Sequence, residues 1–282
     1  MSNEITASEL SFCDKLQAIT YQTANQYCGT PLWPSPKEPI DSGPMVTETL
    51  TAVFEVPNDT TSNKQQVIYV GIGYGFTNPT NPINPSNPIK IAALTTANIT
   101  SILNVAYDVN DSELLQLLPE LNATKKTVEI TEKDGKIKNE SVLIYTRQLA
   151  KVGLIDGPGN TMMTLVAAVY MAEQLLFFPS EEEQIYEYGM TNIYPKGNLL
   201  IHCHSGGSRS VTITALYIYY RFYATQEGNT VTFEEIYKQI VCYRSKGGAP
   251  NGHPTMGICT TAFEVLNTFS QLFPEPVFKQ ER

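Results

Sequence analysis

The sequence predicts an α/β fold: a central, largely parallel sheet flanked by helices, with an N-terminal extension. Three observations predict it. Asn198–Ile201 closes a short, continuously apolar run, as expected of a strand covered on both faces. Arg209–Tyr223 is apolar nearly all round, as expected of a central buried helix. Strand-like and helix-like patterns alternate around this pair, which is the arrangement of a parallel sheet with crossover helices.

The elements follow in order. Ala7 to Tyr27 carries apolar residues at Leu10, Cys13, Leu16, Ile19 and Ala24, which suits a half-buried helix. The Pro-rich stretch "TPLWPSPKEPIDSGP" then excludes regular structure until about Met45. Residues 1–66 are accordingly read as an extension made of a helix and a Pro-rich segment, and residues 67–276 as the main domain. Val67–Ile72 is a β-branched run ending at glycine, hence a strand. "TNPTNPINPSNP" (77–88) repeats Asn-Pro every third residue, and each residue before a proline is pushed out of the helical region, so an extended connector is expected. Ala92–Thr100 fits a short helix and Ser101–Ala106 a buried strand. "KTVEITEKDGKIKNESVLIYTR" reads as two strands around the hairpin signal Asp134-Gly135. Residues 160–178 form an apolar-faced helix with Asn160 as its expected cap. Residues 179–196 are a polar insertion, and Phe233–Tyr243 and Thr260–Leu272 supply two further helices.

At 282 residues the chain can bury a large core, and 42% hydrophobic with 17% charged residues is ordinary for a globular protein. A net charge of −9 disfavours generic attraction to nucleic acid or anionic lipid. No leader and no apolar span of membrane length is seen, so a cytoplasmic location is expected. Five scattered cysteines (Cys13, Cys28, Cys203, Cys242, Cys259) predict neither a disulfide framework nor a metal site.

The chemistry is concentrated in "HCHSGGSRS" (202–210), between the apolar strand and the apolar helix. The amides of a glycine-rich turn converge on a point, and the following helix adds its free N–H groups and positive dipole end. His204, Ser205, Gly206, Gly207, Ser208 and Arg209 would line such a nest, which suits a tetrahedral dianion. Arg209 can clamp two oxygens bidentately. The same field favours the thiolate of Cys203, positioned to attack phosphorus at the centre of the nest. The hydroxyls of Ser208 and Ser210 could donate to the sulfur or steady the loop.

This stretch, His-Cys-x-x-Gly-x-x-Arg-Ser, resembles the signature loop of the cysteine-dependent protein tyrosine phosphatase superfamily, closest to its dual-specificity branch. "NITSILNVAYD" (98–108) and "TFEEIYKQIVCYRSKGGAPN" (232–251), with Arg244 and Pro250-Asn251, resemble further segments of those domains. The likeness covers about residues 67–273; the extension, the hairpin and the insertion have no counterpart. It implies a phosphatase-like fold for residues 67–276. It also implies a phosphomonoester hydrolase working through a phosphocysteine, with Cys203, Arg209, Asp156 and Ser210 catalytic and His202 organising the backbone at the cysteine. No cofactor and no metal are implied.

The family's general acid is an aspartate on a mobile loop ahead of the helix that precedes the signature strand. In "KVGLIDGPGNTMM" that is Asp156, among glycines and a proline that suit a moving loop. Asp134 is a weaker rival, explained by its hairpin, while Asp108 and Asp111 follow a strand and could line the same face. His204 could meet substrate or raise local positive potential, and Arg244 and Lys246 could add positive charge near the mouth.

The expected substrates are phosphorylated proteins, carrying phosphotyrosine and, by analogy, phosphoserine or phosphothreonine, because no tyrosine-bearing wall loop is found. The alternative is an inositol phosphate or phosphoinositide phosphatase of the same superfamily, which the absence of lysine from 204–208 disfavours. A non-catalytic phosphoresidue-binding module and another thiolate enzyme, such as a sulfurtransferase, are the remaining classes.

Overall fold

The structure is a computed structural model, and it describes residues 5–23, 30–34, 36, 50–57, 66–72, 94–109, 124–131, 135–144, 147–177, 185–187, 190–193, 197–246 and 253–274. In chain order the elements are α1 (Ala7–Thr23), β1 (Leu50–Glu55), β2 (Val67–Ile72), β3 (Ile99–Ala106), β4 (Thr124–Thr131), β5 (Ile137–Ile144) and β6 (Gln148–Leu154). They continue with α2 (Met162–Phe177), β7 (Ile185–Glu187), β8 (Met190–Ile193), β9 (Asn198–Cys203), α3 (Arg209–Ile218), α4 (Phe233–Lys246) and α5 (Met256–Thr268). A π-helical turn, Tyr219–Tyr223, extends α3, so the helical stretch runs over the full apolar segment.

The central sheet has the order β1–β2–β9–β3–β6. β9 is flanked by β2 and β3, both parallel to it, and β6 is parallel to β3; β1 closes one edge antiparallel to β2. The α/β class and the largely parallel sheet flanked by helices are therefore present. Strand alternation sorts β9 between the two faces: Leu199, Ile201 and Cys203 join the large cluster under the helices, while Leu200 joins a smaller cluster on the opposite face with Tyr69, Ile99 and Ile102. Each buried Leu or Ile contributes about 1.5–3 kcal/mol, so the register that points Cys203 toward the helices is firmly specified.

α1 and β1 fall inside the first 66 residues, and both belong to the common core. α1 packs on α4 and α5 through Phe12, Cys13 and Leu16, with Phe12 stacked near Phe233 (5.9 Å) and Phe263 (5.3 Å). Gln17 donates to the Pro254 carbonyl (3.3 Å). Of the expected face, Cys13 and Leu16 are buried and Ile19 packs beside them, while Leu10 is exposed and Phe12 joins the buried side; Ala24 lies outside the described residues. Trp33 of the Pro-rich stretch is also anchored, donating from its indole to the Val53 carbonyl at 2.8 Å and meeting Phe54 edge-on.

The expected hairpin forms, with β4 antiparallel to β5. The polar insertion contributes β7 and β8, and β8 adds to β5 in parallel, giving a second sheet of order β4–β5–β8–β7. Two segments with no recognised counterpart thus become one structure.

Three expectations need correction. The cap of α2 is Thr161, whose hydroxyl accepts from the Thr164 amide (3.2 Å), and not Asn160, which is engaged elsewhere. α5 starts and ends four residues earlier than its apolar pattern indicated, because Thr255 at its N-cap is already seated against the signature loop. Cys242 is disulfide-bonded, although the scattered spacing gave no sign of it. Among the described residues no helix is long and apolar enough to cross a membrane. The Asn-Pro repeat, Asp111 and Asp134 lie outside the described residues.

Candidate active site

β9 ends at Cys203, which is 1% exposed, and the chain turns at once through 204–208 into α3. The sulfur accepts a hydrogen bond from the Gly206 amide (3.3 Å) and lies 3.3 Å from the Ser210 hydroxyl. Gly206 takes φ +68°, and a Cβ there would lie 2.6 Å from the Gly71 carbonyl oxygen and 2.7 Å from Arg244 Nη2. Only glycine satisfies both the left-handed backbone and that approach. At the start of α3 the Thr212 amide donates to the Ser208 carbonyl (3.0 Å), and the amides of the first turn before it have no acceptor within the helix. His204 and Ser205 are exposed, and 206–210 are buried.

Arg209 is 1% exposed in its side chain. Its Nη1 donates to the Asp108 carboxylate and to the Leu154 carbonyl (3.0 Å), and its Nη2 lies 3.7 Å from Asp156 Oδ2. Its Nε is buried and has no hydrogen-bond partner among the described residues. Burial opposes the charge on Arg209, but Asp108, Cys203 and Asp156 outweigh it and hold the guanidinium above its ordinary pKa. Asp108 answers in kind: burial pushes its carboxyl up, and the stronger pull of Arg209, with His204 assisting, brings it below the ordinary carboxylate value. The second Asp108 oxygen is 3.4 Å from His204 Nδ1.

Asp156 follows β6 and is held from two sides. Ser208 Oγ donates to its Oδ1 at 3.1 Å, and Arg209 stands at its other oxygen. Asn160 laces the surrounding loop, with Oδ1 accepting from the Ile155 amide (2.9 Å) and Nδ2 donating to the Ile155 and Gly157 carbonyls (2.8 and 3.1 Å). The start of α5 abuts the same loop: a Cβ on Gly257 would lie 2.3 Å from the Gly157 backbone and 2.5 Å from Pro158 N.

His202 is buried, with Nδ1 3.4 Å from the Cys203 carbonyl. Burial pushes its pKa down to about 4, partly opposed by that hydrogen bond and reinforced by Lys151, so the ring is neutral near pH 7. A group whose folded pKa lies below its unfolded value stabilises the fold above the unfolded pKa and stops doing so as pH falls. Between about pH 6.5 and pH 4, His202 should therefore remove roughly 3 kcal/mol of stability. Urea unfolding of wild type and His202→Asn across that window checks this: the variant's stability should fall less steeply with acid.

Arg244 is placed differently from expectation. It is not at the mouth but beneath the loop, 4% exposed, with Nη1 donating to the Val70 carbonyl (2.7 Å). Its Nη2 has no hydrogen-bond partner among the described residues and faces Gly206. Burial lowers its pKa to about 10, partly offset by Cys203, so it stays charged near pH 7. Lys246, at the end of α4, and His253 are exposed.

The structure brings together Cys203, Arg209, Asp156, Ser208 and Ser210, and places Asp108, which could line the same face, against Arg209. The sequence signal for Asp108 was only its position directly after a strand. Thr255 and Asn160, which brace the site through Ser208 and the 155–157 backbone, carried no signal that distinguishes them from ordinary capping residues.

Fold and site together define an α/β protein with a glycine-rich, cysteine-bearing loop between its central strand and central helix. No family model and no curated protein matches the sequence. The solved structures it is similar to are dual-specificity and protein tyrosine phosphatases. One is a mouse putative dual specificity phosphatase, at 13% identity, covering 71% of this chain and 82% of that one with a TM-score of 0.39. Another is the Yvh1 phosphatase domain from Chaetomium thermophilum, at 15% identity, 71% and 90% coverage and a TM-score of 0.40. A third is the Trypanosoma brucei protein tyrosine phosphatase TbPTP1, at 8% identity, 92% and 90% coverage and a TM-score of 0.43. The roles of this chain's residues rest on its own geometry.

Proposed function

We propose that the protein is a phosphomonoester hydrolase of the dual-specificity type, with residues 67–276 carrying the catalytic machinery. The observation that carries this reading is the state of Arg209: a buried guanidinium, pinned at Nη1, with Nε unpartnered among the described residues and Cys203 close enough to help hold its charge. A buried, unpaired donor costs about 1–3 kcal/mol unless a ligand satisfies it, and the ligand that suits a guanidinium beside helix N-terminal amides is an oxyanion.

In the first step the Cys203 thiolate attacks phosphorus, the bond from phosphorus to the ester oxygen breaks, and that oxygen takes a proton from Asp156. In the second step water attacks the phosphocysteine, its proton passes to the Asp156 carboxylate, and the sulfur leaves as thiolate. The Ser210 hydroxyl, 3.3 Å from the sulfur, steadies the charge that returns to it. Asp108, half exposed at the rim, adds negative charge where a polyphosphorylated ligand would place more. Phosphotyrosine and phosphoserine or phosphothreonine in proteins are therefore favoured over inositol phosphates and phosphoinositides.

Phosphate release from phosphotyrosine and phosphothreonine peptides, inositol phosphates and phosphoinositides tests the reading. Peptide turnover should dominate; tungstate binding without release from any substrate would instead indicate a binding module. Asp156→Asn should slow phenyl phosphate about 10²- to 10⁴-fold, the range of a general acid. An unchanged rate removes Asp156 from the mechanism.

A further inference from the structure

Ser208 occupies the N-cap of α3, where a serine ordinarily turns its hydroxyl back onto the helix amides. Here it makes no such bond. Its hydroxyl instead accepts from the Thr255 amide (3.3 Å) and donates to Asp156 Oδ1 (3.1 Å). A backbone N–H can only donate, so one Ser208 lone pair is used on Thr255, and the hydroxyl proton is donated to the Asp156 carboxylate. With Oδ1 held by that donor and Oδ2 3.7 Å from Arg209 Nη2, the Asp156 carboxyl group is fixed in place from both sides.

The rest of the loop is fastened independently. Asn160 holds the backbone at 155 and 157, and Gly257 brings the start of α5 into contact with Gly157 and Pro158. Thr255 and Gly257 belong to the same turn of chain, so the surface that braces the loop also orients the serine bonded to its aspartate. The signature loop, the acid loop and α5 thus meet at one hydroxyl.

We propose that Ser208 is a positioning residue for the general acid, holding Asp156 in its working place before substrate arrives, rather than a ligand for phosphate or a helix cap. This rests on the phosphatase reading and deepens it, and it implies an acid loop that is already docked.

The test is Ser208→Ala in the full chain, assayed with phenyl phosphate and with 2,4-dinitrophenyl phosphate, whose leaving group needs no proton. The expected result is about a tenfold fall in kcat for phenyl phosphate, the worth of one hydrogen bond to an acid. KM should be unchanged, the dinitrophenyl rate should change less than about threefold, and Ser208→Thr, which keeps the hydroxyl, should restore phenyl phosphate turnover. Adding Ser208→Ala to Asp156→Asn should cost nothing more, because the serine acts through the aspartate. Equal slowing of both esters, or a further loss in the double variant, overturns the proposal. Failure of the phosphatase reading looks different: wild type would release phosphate from neither ester, and the inference would fall with it.

Discussion

Cys203→Ser should lower phosphopeptide turnover by about four orders of magnitude or more while leaving phosphopeptide affinity within a few-fold. The Gly206 amide points at the sulfur, which lies at the end of β9 facing the loop. A serine hydroxyl in the same place is a far poorer nucleophile than sulfur, so the attacking atom is lost. The donors proposed to hold the ester, Arg209 and the amides before Thr212, are untouched. Steady-state rates together with equilibrium binding of a fluorescent phosphopeptide check both halves. Residual turnover within tenfold of wild type would show that sulfur at 203 is not the attacking atom.

The second large effect is at Arg209. Arg209→Lys keeps one positive charge but cannot serve Asp108, the Leu154 carbonyl and an oxyanion at once. Loss of the planar fork should lower kcat/KM about 10³-fold, as removal of a transition-state donor does elsewhere. Tungstate affinity should fall as well, since the unpartnered Nε disappears. Measuring kcat/KM and tungstate affinity on the same preparation separates this from misfolding: a folded variant with wild-type kcat/KM contradicts the role given to the fork.

How far the sequence discloses this site depends on how local each determinant is. Cys203, the loop and α3 were legible because a strand, a glycine turn and an apolar helix succeed one another within 26 residues, Asn198 to Tyr223. Asp156 was legible only through the family resemblance. Asn160 and Thr161 are both good caps by composition, and only the folded loop decides that the amide closes 155–157 while the hydroxyl caps α2. Arg244 was expected to add positive charge near the mouth; α4 packs on β1, and the arginine is buried there with its guanidinium on the Val70 carbonyl of β2. The second sheet was half legible. Its hairpin is a local pattern, but the pairing of Val142 with Thr191 depends on chain segments far apart, and no local periodicity encodes a partner. β1 was missed for the same reason, since "LTAVFE" becomes a strand by lying against β2.

The short stretch from Pro254 to Gly257 is an abutment with loads on both sides. On one side it receives Gln17 from α1; on the other it bears on Gly157, Pro158 and, through the Thr255 amide, Ser208. The helix α1 and Asp156, the proposed proton donor, are therefore neighbours in the mechanical sense, separated by well over a hundred residues of sequence but by a single buttress in space. Slackening α1 would loosen the aim of the aspartate without touching any atom that meets substrate.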